Sequence, residues 1–271
     1  MTAQVFQKIV TKADPILLCD ALSLLSGLSK LRIKEAMNKG AVWLRRGEGK
    51  KERIRRAKAK ISPGDGIFLY YAPEILAREA PVARLMKDAG EYSIWYKPAG
   101  LLSQGSLFGD HCALPRQIEA HFSPKRAVHL VHRLDREVDG LMLVAHGKEA
   151  AEALSSLLRE NRIEKGYQAV LKGDLRGVPG EISLPLGGKE ARTSFEVTGY
   201  DAAKDESTAR ITIQTGRLHQ IRRHFDLIGH PVMGDPRYGE GNASPEGLKL
   251  TAWFLAFDCP LGQGRVEVSI F

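Results

Sequence analysis

His129 to Ala145 reads HLVHRLDREVDGLMLVA and sets one acid, Asp135, between Arg133 and Arg136, just ahead of an apolar run. Residues 132–137 form a polar loop, and Asp139-Gly140 is a turn signal that opens a short buried strand over 140–145. Asp135 is therefore expected near a strand end. A carboxylate on a loop braced by a strand is held firmly yet stays reachable, which suits a nucleophile or a general base. Arg133 and Arg136 can contact phosphate or pair with Asp135, an arrangement suited to chemistry on an anionic polymer. The hexapeptide alone reads better as a surface loop laced with ion pairs, so the rest of the chain must decide.

At 271 residues, 43% apolar and 27% charged, the chain is long enough for one large domain and a small one. This composition describes a soluble globular protein rather than a disordered or membrane-spanning one. The formal net charge is +8, yet residues 28–60 hold thirteen Lys/Arg against three acids, a local +10 that leaves −2 for the remainder. Such a concentrated excess reads as an electrostatic footprint for nucleic acid more than as an ordinary solvated lysine-rich face. Three scattered cysteines, Cys19, Cys112 and Cys259, lack CxxC spacing, so neither a disulfide framework nor a zinc knuckle is indicated, and a reducing cytoplasm fits. Asp20 interrupts the apolar run that begins at Pro15-Ile16-Leu17-Leu18, which argues against a signal peptide.

Apolar residues at 17, 18, 21, 22, 25 and 28 recur at helical spacing and predict a helix ending near Gly27. Ser29 can cap a second helix through Leu31, Ile33, Ala36 and Met37 to a Gly40 stop, its exposed face carrying Lys30, Arg32, Lys34 and Lys39. Residues 41–44 then read as a strand, 45–60 as a basic hairpin or loop, and Pro63-Gly64-Asp65-Gly66 as a turn into a strand over 67–71.

This pattern, SLLSGLSKLRIKEAMNKGAVWL followed by ISPGDGIFLY, resembles the S4 RNA-binding domain over roughly residues 15–72. It departs from that family at Trp43-Leu44-Arg45, where a Val-Asn-Gly strand end is usual, and in the basic insertion up to Lys60. The resemblance implies RNA contact by Lys30, Arg32, Lys34, Lys39, Arg45, Arg46, Lys50 and Lys51.

Residues 1–75 thus form a small basic module, 76–90 a linker with Pro81 and room for a short helix, and 91–271 a second domain. In the second domain Ser93–Tyr96 is strand-like and Lys97-Pro98-Ala99-Gly100 a sharp turn. A helix is predicted over 147–161, and strands over 166–171, 193–200, 209–215 and 264–270. Strands outnumber helices without βαβ regularity, which favours a mixed α+β sheet over a doubly wound one.

Two more segments bear on Asp135. Tyr167, in Glu164-Lys165-Gly166-Tyr167, can present an aromatic face from a strand, as an unstacked nucleobase requires, although a strand tyrosine is by itself more often core. In GRLHQIRRH, residues 216–224, helix after Gly216 would put Arg222 three residues from His219 and let its guanidinium reach a neighbouring loop. His219 and His224, five apart, fall on different helix faces with no carboxylate between them, so no metal site is expected.

HRLDRE around Asp135, Lys165-Gly166-Tyr167, GRLHQIRRH, Lys97-Pro98-Ala99-Gly100 and Gly234-Asp235-Pro236-Arg237-Tyr238-Gly239 occur in the order found in RluA-type pseudouridine synthases. The resemblance covers about residues 91–271. It implies a mixed, largely antiparallel sheet of the pseudouridine synthase fold and isomerisation of uridine to pseudouridine in structured RNA, ribosomal or transfer. On this resemblance Asp135 is the essential aspartate, used as nucleophile or base at the sugar, Tyr167 stacks on the uracil, and Arg222 pairs with the acid and orients it. Arg133, Arg136, Lys165, Leu141, Ile221, His219 and Arg217 are implied at the substrate. Arg133 would fill the stack that a flipped uridine vacates. No cofactor, metal or membrane is implied, and nothing demands more than a monomer.

Val138 and Asp139 replace the Thr-Ser of HRLDRETSGL, and Leu218 stands where Thr or Ser usually precedes the histidine. Val138 lacks a hydroxyl that would order the loop, and Asp139 adds a negative charge near Asp135. These departures motivate an alternative, a catalytically impaired RNA-binding or ribosome-assembly protein retaining the fold. A glycoside hydrolase using Asp135 with Asp139 or Glu137 is weaker, because no carbohydrate-binding aromatic cluster accompanies them.

Overall fold

The glycine after Leu18–Ser26 and the serine before Lys30–Asn38 set the architecture of the N-terminal region. Gly27 (φ 71°) closes the first helix with its N–H on the Ser23 carbonyl, and Ser29 caps the second by accepting from the Arg32 N–H at 3.4 Å. The computed structural model describes residues 2–262 and 264–271. The chain forms two compact units, one running up to Pro81 and including Gln104–Gln117, the other made of Val82–Ser103 and Ile118–Phe271.

The first unit contains β1 (Gln4–Ile9), α1 (Leu18–Ser26), α2 (Lys30–Asn38), β2 (Val42–Arg45), β3 (Lys51–Arg53), β4 (Gly66–Tyr71) and α3 (Pro73–Leu76). Its antiparallel sheet has the order β1-β4-β2-β3. Leu18 and Leu22 of α1 and Ile33 and Met37 of α2 bury against Val42, Leu44, Ile67 and Leu69 of the strands. Leu31 points to solvent instead of joining that apolar side. β1 carries no clear alternation, and it is an almost wholly exposed edge strand.

Residues 104–117 lie far along the chain but pack in this first unit. Trp43 Nε1 donates to the Leu107 carbonyl at 3.0 Å, Phe108 meets Tyr70 edge to face, and Asp110 pairs with Arg53 (2.7 Å) and Arg55.

The second unit contains β5 (Arg84–Asp88), β6 (Tyr92–Lys97), the end of α4 (Leu114–His121), β7 (His129–Leu130), β8 (Asp139–Ala145), α5 (Lys148–Arg159), β9 (Glu164–Lys172), β10 (Glu181–Ile182), β11 (Thr193–Asp201), β12 (Glu206–Ile213), α6 (Gln220–Leu227), β13 (Leu250–Asp258) and β14 (Arg265–Ser269). One ten-stranded sheet runs β10-β11-β12-β9-β13-β8-β6-β5, with β14 beside β13 and β7 beside β8. Every pairing is antiparallel except β8 with β13, so the sheet is mixed and largely antiparallel, as expected. Its core joins Tyr92, Ile94, Leu141, Leu143, Leu154 and Phe257 under α5.

The expected linker over 76–90 needs correction. Residues 84–88 are the edge strand β5, hydrogen-bonded to β6, and the second unit begins at Val82. The pattern was weak because an edge strand buries little of either face. Among the described residues no helix is long and apolar enough to cross a membrane.

Candidate active site

Asp135 rides on a loop whose backbone is stapled on both sides. Ser103 Oγ accepts from the Leu134 N–H at 3.0 Å and donates to the Leu134 carbonyl at 2.6 Å. One residue beyond Asp135, the Arg136 carbonyl accepts from the Gly100 N–H (2.7 Å) and from Lys97 Nζ (3.3 Å). Leu134 and Val138 are buried and anchor the loop from either side. His132 Nε2 accepts from the Leu143 N–H at 3.0 Å, tying the loop's start to the strand it leads into.

Lys97 is fully buried at the end of β6, its ammonium also held by the carbonyls of Leu101 (2.9 Å) and Pro98 (3.2 Å). Burial lowers its pKa to about 8, against the pull of Asp139, Glu137 and Asp135.

The Asp135 side chain is about one quarter exposed, and its recorded partners converge on Oδ2: Arg222 at 3.0 Å and His219 Nε2 at 3.7 Å. Arg222 extends from the first turn of α6 with 3% of its side chain exposed. It also grips Asp235 with two further bonds, of 2.7 and 2.8 Å. Burial disfavours its charge, and the two carboxylates more than offset that, raising its pKa above the usual arginine value. Asp235 is lowered despite its own burial, by Arg222 and by the N–H groups of Arg237 and Tyr238.

Helix α6 begins at Gln220, later than the expected start after Gly216. The Gln220 carboxamide explains the delay: it accepts from the Thr215 hydroxyl (2.6 Å) and the Arg217 N–H (3.0 Å) and donates to the Arg192 carbonyl (2.9 Å), holding residues 215–217 in a turn. His219 is the N-cap, in a left-handed conformation (φ 53°), so it reaches Asp135 from outside the helix. Its Nδ1 pairs with the Tyr238 hydroxyl at 3.0 Å, and burial lowers its pKa.

Tyr167 lies buried on β9, paired with Ile211 and Ala252, and its hydroxyl is pushed up to about 12 by burial and by the charge of Asp135. Leu141 and Ile221 are buried on β8 and α6. Lys165 is partly buried, with its pKa lowered by desolvation, and its charge acts on His132.

The flanking arginines do not brace Asp135 as expected. Arg136 pairs with Glu137 at 3.1 Å, and Arg133 is exposed with no ion pair among the described residues. The brace comes instead from Arg222, 87 residues away. Arg217 donates to the Glu190 carbonyl (2.9 Å) rather than to Asp135. Val138 is buried, and Asp139 accepts from the Tyr96 hydroxyl at 2.6 Å, so neither departure from the family pattern displaces a group around Asp135. Leu218 is 70% exposed. His224 is buried against Thr193 and the Leu184 carbonyl, and among the described residues no cluster of His, Cys, Asp and Glu fits a metal ion.

Asp235, Tyr238, Lys97, Ser103 and Gln220 were not anticipated as site residues. The Lys-Pro-Ala-Gly and Gly-Asp-Pro-Arg-Tyr-Gly motifs flagged the first three without assigning roles. A separate groove of about 630 Å³, lined by Trp253, Arg210 and Thr212, contains none of Asp135, Arg222 and Tyr167.

Comparison with known proteins matches residues 91–227 to the family model of the RNA pseudouridylate synthases. The dual-specificity RNA pseudouridine synthase RluA of Vibrio parahaemolyticus is 32% identical over 185 residues, 60% of this chain and 73% of that protein. The ribosomal large subunit pseudouridine synthase C of Haemophilus ducreyi is 27% identical over 244 residues, 81% and 74% of the two chains. The solved structure of human RNA Pseudouridylate Synthase Domain Containing 1 shares the fold with a TM-score of 0.59 at 24% identity, over 70% of this chain and 83% of that one. Because the family match takes in the Asp135 loop, the Tyr167 strand and the Arg222 helix in one stretch, the chain belongs to the RNA pseudouridylate synthases, which isomerise uridine to pseudouridine in RNA.

Proposed function

We propose that Asp135 is the catalytic carboxylate of this isomerase, acting at the sugar of a uridine flipped out of structured ribosomal or transfer RNA. The observation that carries the reading is a quarter-exposed carboxylate held on one oxygen by a buried arginine at 3.0 Å. The other oxygen, Oδ1, has no hydrogen-bond partner among the described residues and is the one available to substrate.

The reaction consumes no reagent. The C1′–N1 bond breaks, the uracil turns while bound, and C1′–C5 forms, with the proton lost from C5 balanced by the one gained at N1. A retained base must not be intercepted by solvent, so a site that excludes water serves better than one that activates it. Asp135 acts as nucleophile or base, Arg222 orients it, and the Tyr167 ring stacks on the uracil, offsetting unstacking that costs a few kcal/mol. Leu141 and Ile221 line the pocket, and Arg133, exposed and without an ion pair among the described residues, fills the vacated stack.

The relatives named for dual specificity and for the large ribosomal subunit support a ribosomal or transfer RNA target. The basic module that the sequence delimits as residues 1–75, S4-like in pattern, supplies phosphate contacts. Three free cysteines fit a reducing cytoplasm, and the enzyme works there as a monomer.

The test is conversion of uridine in ribosomal and transfer RNA transcripts by recombinant protein. Wild type should form pseudouridine at defined positions and Asp135→Asn at none. Turnover by Asp135→Asn at a rate near wild type would end this assignment.

A further inference from the structure

We propose that Asp235 is a positioning residue for the isomerisation: it locks the Arg222 guanidinium through Nε and Nη2 so that Nη1 is the nitrogen presented to Asp135. The proposal rests on the reading of Asp135 and Arg222 given above and extends it to a residue that cannot itself touch substrate.

Of the three carboxylates around Arg222, Glu137 stands 4.0 Å from Nη1 without a hydrogen bond, and the two that are hydrogen-bonded are built differently. Asp235 has no side-chain exposure and takes two parallel bonds, from Nε at 2.7 Å and Nη2 at 2.8 Å. Asp135 is a quarter exposed and takes one, from Nη1 at 3.0 Å. A planar guanidinium bound through two N–H groups has no rotational freedom left, so Nη1 points in one direction only. Asp235 is itself immobile. Its Oδ1 also accepts from the N–H groups of Arg237 (2.9 Å) and Tyr238 (3.1 Å), and the Gly234 N–H donates to the Asn242 carbonyl at 2.6 Å. Gly234 (φ 73°) is required there, because a Cβ would overlap the backbone of Gly247.

The consequence falls on Asp135. Without Asp235, Arg222 is free to turn and grip both oxygens of Asp135, burying its charge and occupying the edge that meets the sugar. With Asp235 in place, much of the cation is already neutralised and Asp135 is held by one oxygen. The same turn carries Tyr238, whose ring lies 5.3 Å from the guanidinium and whose hydroxyl pairs with His219 Nδ1. The His219 Nε2 therefore also faces Oδ2, and Oδ1 stays clear.

Asn at 235 puts N–H groups against N–H groups and breaks one arm of the clamp. For Asp235→Asn the expected result is a kcat lower by on the order of 100-fold, with KM for RNA within about 3-fold of wild type. The decisive readout is a double-mutant cycle with Arg222→Lys, which abolishes the two-bond grip. Because Asp235 acts through Arg222, adding Asp235→Asn to Arg222→Lys should lower kcat by no more than about 3-fold further. Multiplicative losses, or wild-type kcat in Asp235→Asn, would overturn the proposal. Should Asp235→Asn fail to fold, Asp235→Glu keeps the charge but moves the guanidinium by a methylene. It should fold with lowered kcat and unchanged KM, and wild-type kcat in that variant also refutes the idea. Asp135→Asn in the same assay separates the two readings, since its activity judges Asp135 while the cycle judges only the coupling of Asp235 to Arg222.

Discussion

A single imidazole, His132, makes the tie between the Asp135 loop and β8 sensitive to acid. His132 Nε2 accepts from the Leu143 N–H, which only an unprotonated nitrogen can do, and burial together with the Lys165 charge lowers its pKa from 6.5 to about 3. Unfolded chain therefore binds the proton and folded chain does not. The stabilisation is complete above about pH 6.5 and is lost progressively as pH falls from there toward about 3, at roughly 1.4 kcal/mol per pH unit. Denaturant titrations at pH 7 and pH 5 should differ by up to about 2 kcal/mol from this one group. In His132→Gln, whose carbonyl accepts the same N–H without titrating, the difference should shrink by about that amount. His146, His219 and His224, whose pKa values burial also lowers, act in the same direction and contribute to the part that remains. An undiminished difference in His132→Gln would show that this imidazole is not held neutral.

At the scale of elements, the parallel contact of β8 with β13 is the joint on which the site turns. Gly140 pairs with Ala252 at φ 120°, and a Cβ there would overlap the backbone nitrogen and oxygen of Ala252. Gly140→Ala must part the two strands or distort the backbone, at an expected cost of about 3 kcal/mol or more, or roughly 6–12 °C in thermal midpoint. Gly199→Ala, where a Cβ meets nothing within 4 Å, should stay within about 0.5 kcal/mol of wild type. Equal melting of the two variants would contradict the packing read at this joint. β8 itself was legible from its turn and apolar run, and α5 from its spacing, because each follows a local period. β13 was not: Leu250–Asp258 is largely buried and shows no clean alternation, and of its partners β8 and β9 lie roughly 80 to 110 residues away, only β14 being close in sequence. The site divides in the same way. Asp135, Tyr167 and Arg222 stood out as motifs, while the roles of Lys97 and Asp235 depend on which carbonyl or guanidinium the fold brings to them.

For the molecule as a whole, the chain passes between its two units three times, at 81/82, 103/104 and 117/118, and the middle excursion alters the charge count of the basic unit. Arg53 and Arg55 belong to the thirteen cations of residues 28–60, yet both are spent on Asp110, and Arg53 also donates to the Ser106 carbonyl at 2.6 Å. Of the residues expected to contact RNA, Lys30 pairs with Asp20, Lys39 with Glu35 and Arg46 with Asp65, while Lys51 lies over the Phe68 ring. Arg32, Lys34 and Lys50 are exposed and have no ion pair among the described residues, so they are the cations ready for phosphate. Each phosphate contact contributes about 0.7–0.9 to the slope of log affinity against log salt, so replacing all three by glutamine should reduce that slope by about 2 to 3. Arg53→Gln with Arg55→Gln should instead lower the thermal midpoint, by stranding Asp110, and leave the slope nearly unchanged. RNA binding followed by fluorescence anisotropy across roughly 50–200 mM salt resolves the two cases. If the slope moved with the Asp110 pair and not with the exposed trio, phosphate would be read by the opposite set of side chains, and the first unit's role in holding RNA would have to be reassigned.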